Sequence, residues 1–282
     1  MKQEIINLYD QYTHAPLRRN VFLEKLAKLT GGMTAALAIL PALESNYAIA
    51  QTQADDLHTE YITYQGVNGT MKAYLARPKE NKKYPSVVVI HENRGLNAHI
   101  EDVARRAAQA GFLVIAPNIL STLSPAPANE DEARAAFSAL KPDENLANFV
   151  NACTYLTSRS DSNGQLGCVG FCWGGAMANS LAVNVPNLKA AVAFYGRQAT
   201  TEEVPKIKAA VQLHYASLDE RVNAGIAAYE AALKANNKPY ELYMYEGVNH
   251  AFHNDTSTAR YDATAAKLAW SRTIEFFKAH LK

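Results

Sequence analysis

The sequence reads as an α/β protein: a mostly parallel central sheet flanked by helices and opened by an antiparallel hairpin. Three observations carry that reading. Short, β-branched apolar runs recur without polar alternation, as strands covered on both faces require. Helix-period segments separate them, and strand–helix–strand crossovers join parallel neighbours. At the front, two alternating segments at 61–64 and 71–77 flank the turn-rich Gly66-Val67-Asn68-Gly69, the signature of a hairpin.

The first buried strand is predicted at 86–90, where Ser86-Val87-Val88-Val89-Ile90 leaves no polar face. Further strands are predicted at 112–116, 168–171, 190–194, 210–214 and 241–245. Helices are predicted between and after them, at 100–110, 130–140, 144–158, 174–184, 223–234 and 263–281. A chain of 282 residues, 48% hydrophobic and 20% charged, can bury one large core, and no linker-like stretch divides it after residue 50. The 28 basic and 27 acidic residues leave a formal charge of +1, so no global field favours nucleic acid or an anionic membrane. A small neutral or singly charged ligand suits that balance better. Three cysteines, Cys153, Cys168 and Cys172, cannot all pair with one another, which argues against a disulfide framework.

Residues 1–50 read as an address and residues 51–282 as a single domain. Arg18-Arg19 precede the apolar pair Phe22-Leu23 and a weakly hydrophobic run at 29–43 that is too short and interrupted to span a bilayer. Small residues at Ala48 and Ala50 suit a signal peptidase, so a twin-arginine-like export signal cleaved after Ala50 and a periplasmic mature protein are expected. Glu24 and the long stretch before the arginines depart from the usual signal. The alternatives are an amphipathic N-terminal helix packed on the domain and a cytoplasmic location.

The chemistry concentrates in three segments. Gly170-Phe171-Cys172-Trp173-Gly174-Gly175 joins a predicted strand to a predicted helix, the context of a nucleophile elbow. A thiol there faces a helix N-terminus, which favours the thiolate, whereas Cys153 and Cys168 read as small buried hydrophobes. A nucleophile needs a base and an orienting acid, and in this architecture both follow it in the chain. Asp219 lies in the loop after the 210–214 strand, and His250 in the loop after the 241–245 strand. All three therefore fall at one carboxyl edge of the sheet, with His250 as base and Asp219 as its orienter. Asp219 could instead cap the following helix and leave the role to Glu220. His253 competes with His250 or lines the pocket, while His214 falls inside an apolar strand.

Together these segments resemble the dienelactone hydrolase family, the carboxymethylenebutenolidases, over residues 58–282. The resemblance implies the α/β-hydrolase fold and hydrolysis of small carboxylic esters or lactones through a cysteine thioester. It also implies a glutamate after the first buried strand, matched here by Glu92 in His91-Glu92-Asn93-Arg94-Gly95-Leu96, which holds the resting thiol and takes its proton. The backbone N–H groups of Asn93 and Trp173 would form the oxyanion hole. The family's arginine four residues after the histidine is Asn254 here, which argues against dienelactone itself; Arg94 is the candidate for a positive charge in the pocket, unless it pairs with Glu101. No phosphate loop, dinucleotide fingerprint or metal-binding helix is present, so neither a cofactor nor a metal is expected. Acyl transfer, peptide cleavage by the same triad, and a binding or redox-sensing role without turnover are the competing functions. The oligomeric state is not legible.

Overall fold

In the computed structural model, which describes residues 1–15, 17–47, 54–67, 69–123, 125, 127 and 129–282, eight strands share one sheet. They are β1 (Leu57–Gln65), β2 (Thr70–Pro78), β3 (Tyr84–Ile90), β4 (Leu113–Asn118), β5 (Ser162–Phe171), β6 (Leu188–Phe194), β7 (Ala210–Ala216) and β8 (Tyr240–Tyr245). Their order across the sheet is β1-β2-β4-β3-β5-β6-β7-β8. The β1–β2 hairpin is antiparallel, β2 joins β4 antiparallel, and every pair from β4 to β8 is parallel. All six parallel strands therefore end at one edge, where an α/β sheet presents its ligands.

Among the described residues ten helices accompany the sheet: α1 (Gln3–His14), α2 (Arg19–Thr30), α3 (Met33–Leu43), α4 (Ala98–Gln109), α5 (Glu130–Ser138), α6 (Pro142–Ser158), α7 (Trp173–Asn184), α8 (Glu220–Asn223), α9 (Ile226–Ala235) and α10 (Ala263–His280). One face of the sheet packs on α6, α7 and α9 through Phe149, Leu156, Leu181 and Leu233; the other packs on α4 and α10 through Ile100, Val103 and Phe277. Alternate side chains of β3 explain why its sequence shows no polar stripe: Val88 and Ile90 enter the first core, Val87 and Val89 the second. The helix predicted at 223–234 is two helices, because the chain breaks after Asn223 and resumes at Ile226.

Helices α1, α2 and α3 build a helical unit of their own. On α1, Ile5, Leu8, Tyr9 and Tyr12 recur at helical spacing and close on Phe22, Leu26, Ala36, Leu40 and Leu43. Tyr12 stacks on Phe22 with ring centroids 4.3 Å apart. The unit also docks on the sheet domain. Arg19 pairs with Glu44 and with Asp131 of α5, both at 3.0 Å. Tyr12 donates to Asp131 at 2.6 Å, and the Asn46 amide donates to the Thr256 carbonyl at 2.7 Å. No single helix among the described residues is long and apolar enough to cross a membrane. The processing point expected after Ala50 lies outside the described residues.

Candidate active site

Cys172 sits between β5 and α7 with φ 56° and ψ −113°, a left-handed backbone that a residue with a Cβ adopts only under constraint. The constraint is glycine-dependent packing. A Cβ on Gly170 would lie 1.8 Å from the Gly174 carbonyl oxygen, and one on Gly174 would lie 2.3 Å from the Ile90 carbonyl oxygen. Strand β5 and helix α7 can therefore fold back sharply and hold the thiol at the start of the helix.

His250 Nδ1–H donates to Asp219 Oδ2 at 2.5 Å in a pocket that buries both groups. The other Asp219 oxygen accepts the Val222 amide at 3.3 Å, so one carboxylate both caps α8 and fixes the imidazole. Asp219 thus fills the position for which Glu220 competed. With Nδ1 committed as a donor, His250 Nε2 is the nitrogen left for proton transfer, and it is buried without a hydrogen-bond partner among the described residues. A ring nitrogen of His250, one of His14 and the Cys172 sulfur lie within 4.8 Å of one another, a spacing that suits proton exchange and that a single ion could also bridge. Burial raises the Cys172 thiol, but the charges of His14 and then His250 outweigh it and bring it down to about 6. Burial lowers His250, yet the facing sulfur and Asp219 push it up to about 10. A thiolate–imidazolium site is the resting state these environments favour near neutral pH. Cys153 and Cys168 are pushed up by burial, Cys153 to about 12.

Asn93 and Trp173 border the cleft beside Cys172. Neither backbone amide donates a hydrogen bond among the described residues, so both remain available to an oxyanion. The Trp173 ring stacks on His91, centroids 5.6 Å apart. Glu92 also reaches the cleft, but its Oε2 accepts the Asn254 side-chain amide at 2.9 Å, and no hydrogen bond links it to Cys172 among the described residues. The expected contact between Glu92 and the resting thiol is therefore absent here. Asn254, standing where the family's arginine was expected, holds the carboxylate aside. Arg94 lies in the same recess and donates to the Asn93 side chain at 2.8 Å, whereas Glu101 accepts from Tyr61. His253 does not line the cleft, contrary to expectation. It is buried against Phe171 and Phe194 with ring centroids 5.0 Å apart, and burial holds its imidazole well below the usual value. His214 is a satisfied core group bonded to Tyr245 and Gln212.

The hydrogen-bond partner of the Cys172 sulfur is His14 of α1, at 3.1 Å from Nε2. Sequence reasoning passed over it because residues 1–50 carried signal-like features. Asp10 and His14, four apart and on a face away from Ile5, Leu8 and Tyr12, were the available signal. The α1 residues His14, Thr13 and the adjoining Leu17 wall a cleft of about 860 Å³ that Trp173, Tyr195 and Cys172 complete. That is the size of a small-molecule site.

Known proteins resemble the chain in sequence and in fold. The sequence profile described as the dienelactone hydrolase family matches residues 71–281. A Yersinia pestis protein provisionally named a carboxymethylenebutenolidase is 30% identical over 243 residues, 81% of this chain and 91% of the relative. A Bradyrhizobium protein provisionally named a 2-oxo-3-(5-oxofuran-2-ylidene)propanoate lactonase is 32% identical over 231 residues, 77% of this chain and 92% of the relative. A solved Klebsiella pneumoniae structure, assigned as a dienelactone hydrolase, superposes with a TM-score of 0.72 at 28% identity and covers 79% of this chain and 99% of its own. From the elbow at Cys172 to the strand-end positions of Asp219 and His250, the fold and these relatives lead to one conclusion: the chain belongs to the dienelactone hydrolase family of α/β-hydrolases.

Proposed function

We propose that this enzyme hydrolyses small carboxylic esters or lactones through a thioester on Cys172, served by an imidazole that a carboxylate orients. One observation carries the reading: a thiol in a strained strand-to-helix turn stands within 4.8 Å of a ring nitrogen of His250, an imidazole whose Nδ1 donates to buried Asp219. The thiolate attacks the acyl carbon, a carbon–sulfur bond forms, and the alkoxide leaves with a proton from imidazolium. Water then gives a proton to the imidazole and attacks the thioester, which restores the thiolate and releases the acid. The unpaired amides of Asn93 and Trp173 take the negative charge that develops on the acyl oxygen in both steps.

The provisional lactonase and carboxymethylenebutenolidase names among the relatives support the ester or lactone class. Asn254, engaged with Glu92, offers no positive charge to a substrate carboxylate at that position, so the reading does not extend to dienelactone. The test is a panel of short-chain esters and five- and six-membered lactones offered to wild type and Cys172→Ala. Turnover of at least one substrate by wild type, abolished in a Cys172→Ala protein with unchanged circular dichroism, is the expected result. Undiminished turnover by that variant overturns the nucleophile.

A further inference from the structure

Helix α1 brings more than a wall to the cleft. His14 Nδ1 lies 2.9 Å from the Asp10 carbonyl oxygen and 3.1 Å from its carboxylate. A carbonyl only accepts, so Nδ1 carries the proton, and in the neutral ring Nε2 is the bare nitrogen that faces the Cys172 sulfur at 3.1 Å. The wiring repeats that of Asp219 and His250, with a carboxylate behind one nitrogen and the other directed at the reacting centre. The two rings meet edge to face, centroids 4.7 Å apart. The sulfur is thus attended by two carboxylate-backed imidazoles, of which His14 is bonded to it while His250 Nε2 has no partner among the described residues.

We propose that His14 is a second catalytic acid–base of this hydrolase and divides the proton work with His250. The inference rests on the Cys172 thioester reading and deepens it. In acylation the thiolate sulfur bonds the acyl carbon, the carbon–oxygen bond to the leaving alcohol breaks, and protonated His14 gives its Nε2 proton to the departing alkoxide. In deacylation the unpartnered Nε2 of His250 takes a proton from water, the hydroxide bonds the acyl carbon, and the carbon–sulfur bond breaks to give acid and thiolate. The proton on His250 then reaches His14 through the sulfur between them, and the resting state returns.

The alternative for α1 is a plug that blocks the site. The geometry argues against it, since the cleft keeps its 860 Å³ and its approach to Cys172 with α1 seated as one wall. Helix α1 is also fixed in place. The Asn93 side chain donates to the Thr13 carbonyl at 2.8 Å, Arg134 lies 3.9 Å over the Tyr12 ring and donates to the Tyr12 carbonyl, and Gln3 bonds Asn249. The charged and titratable groups facing the thiol and two imidazoles are Asp10, Asp219, Arg221, Glu92, Tyr195 and Arg260. Among the charges that lower the Cys172 thiol against its burial, His14 ranks ahead of His250.

The test compares full-length wild type, His14→Gln, Asp10→Asn, His250→Gln and Cys172→Ala on an ethyl ester and on the p-nitrophenyl ester of the same acid. p-Nitrophenolate departs without a proton and ethoxide does not, so loss of the acid that serves acylation costs the ethyl ester more. His14→Gln is expected to lower kcat/KM for the ethyl ester about 100-fold, the usual scale for a general acid, and for the nitrophenyl ester much less. Asp10→Asn moves in the same direction by a smaller factor. His250→Gln is expected to release a fast burst of one nitrophenolate per active site and then stall as the thioester accumulates. The ratio between the two esters is internal to each variant, so a partly unfolded sample does not imitate it. Equal losses on both esters in His14→Gln, or active enzyme whose intact mass begins beyond residue 14 with undiminished kcat/KM, overturns the role of His14. An active Cys172→Ala instead overturns the thioester reading beneath it.

Discussion

Alkylation of Cys172 as a function of pH tests the electrostatics of the site without a substrate. The perturbation is pH from 4 to 10, and the readout is the initial rate of labelling by iodoacetamide, located by peptide mass. With the thiol at about 6, the thiolate fraction at pH 7 is about 90%, against about 3% for an ordinary cysteine near 8.5. The gain in thiolate is therefore about 30-fold. Lower basicity also weakens the sulfur as a nucleophile, by roughly tenfold over this span at a Brønsted slope near 0.45. The two effects together leave only about a threefold gain in the rate at pH 7, so the midpoint of the profile is the diagnostic quantity. It is expected near pH 6, with one label per chain, because burial pushes Cys153 and Cys168 up and out of reach of the reagent. A midpoint at pH 8 or above, or labelling of a second thiol at neutral pH, refutes the claim that the two imidazoles outweigh burial.

Asp219→Asn keeps an oxygen to cap the Val222 amide but removes the charge behind His250, so the fold should persist while kcat falls about 100-fold as deacylation slows. His250 is held up near 10 in part by that carboxylate, and as the base of deacylation it acts once its proton is lost, so the acid limb of kcat should move to lower pH in the variant. An unmoved limb would assign it to another group. Glu92→Gln leaves an acceptor for the Asn254 amide yet removes a buried charge beside the thiol, and turnover is expected to fall more than KM rises. Equal activity in that variant removes Glu92 from the chemistry.

The sheet was legible because two physical signals agree along it. Runs such as Val87-Val88-Val89-Ile90 are apolar on both faces, and each is followed by a helical period that covers one of them. Strand ends were less legible: β5 starts at Ser162, well before the apolar run at 168–171, since Gly164 and Gln165 dilute its pattern. That Cys172, Asp219 and His250 come near one another was legible because their loops follow strand ends that the topology aligns. Contacts that depend on which way a side chain turns inside a loop were not. His253, three residues after His250, enters the aromatic core under Phe171, and Glu92 turns to Asn254. The largest omission is α1. Its apolar stripe and the Asp10–His14 pair are ordinary helix signals, but the arginines and small residues that follow resemble an export address and draw attention from them.

The anchoring of residues 3–46 on the 254–260 loop also sets an order of events during synthesis. His14 leaves the ribosome 158 residues before Cys172, and the Leu43 carbonyl that Ser257 contacts is made 214 residues before its partner. The nascent chain therefore carries α1, α2 and α3, able to close on one another through Tyr9, Tyr12 and Phe22, long before the loop that anchors them is made, and His14 is made before Cys172 whereas His250 follows it. A chain that stops after its seventh strand has no Asp219, no His250 and no loop to anchor α1, so truncated translation products are expected to lack the turnover of the full chain.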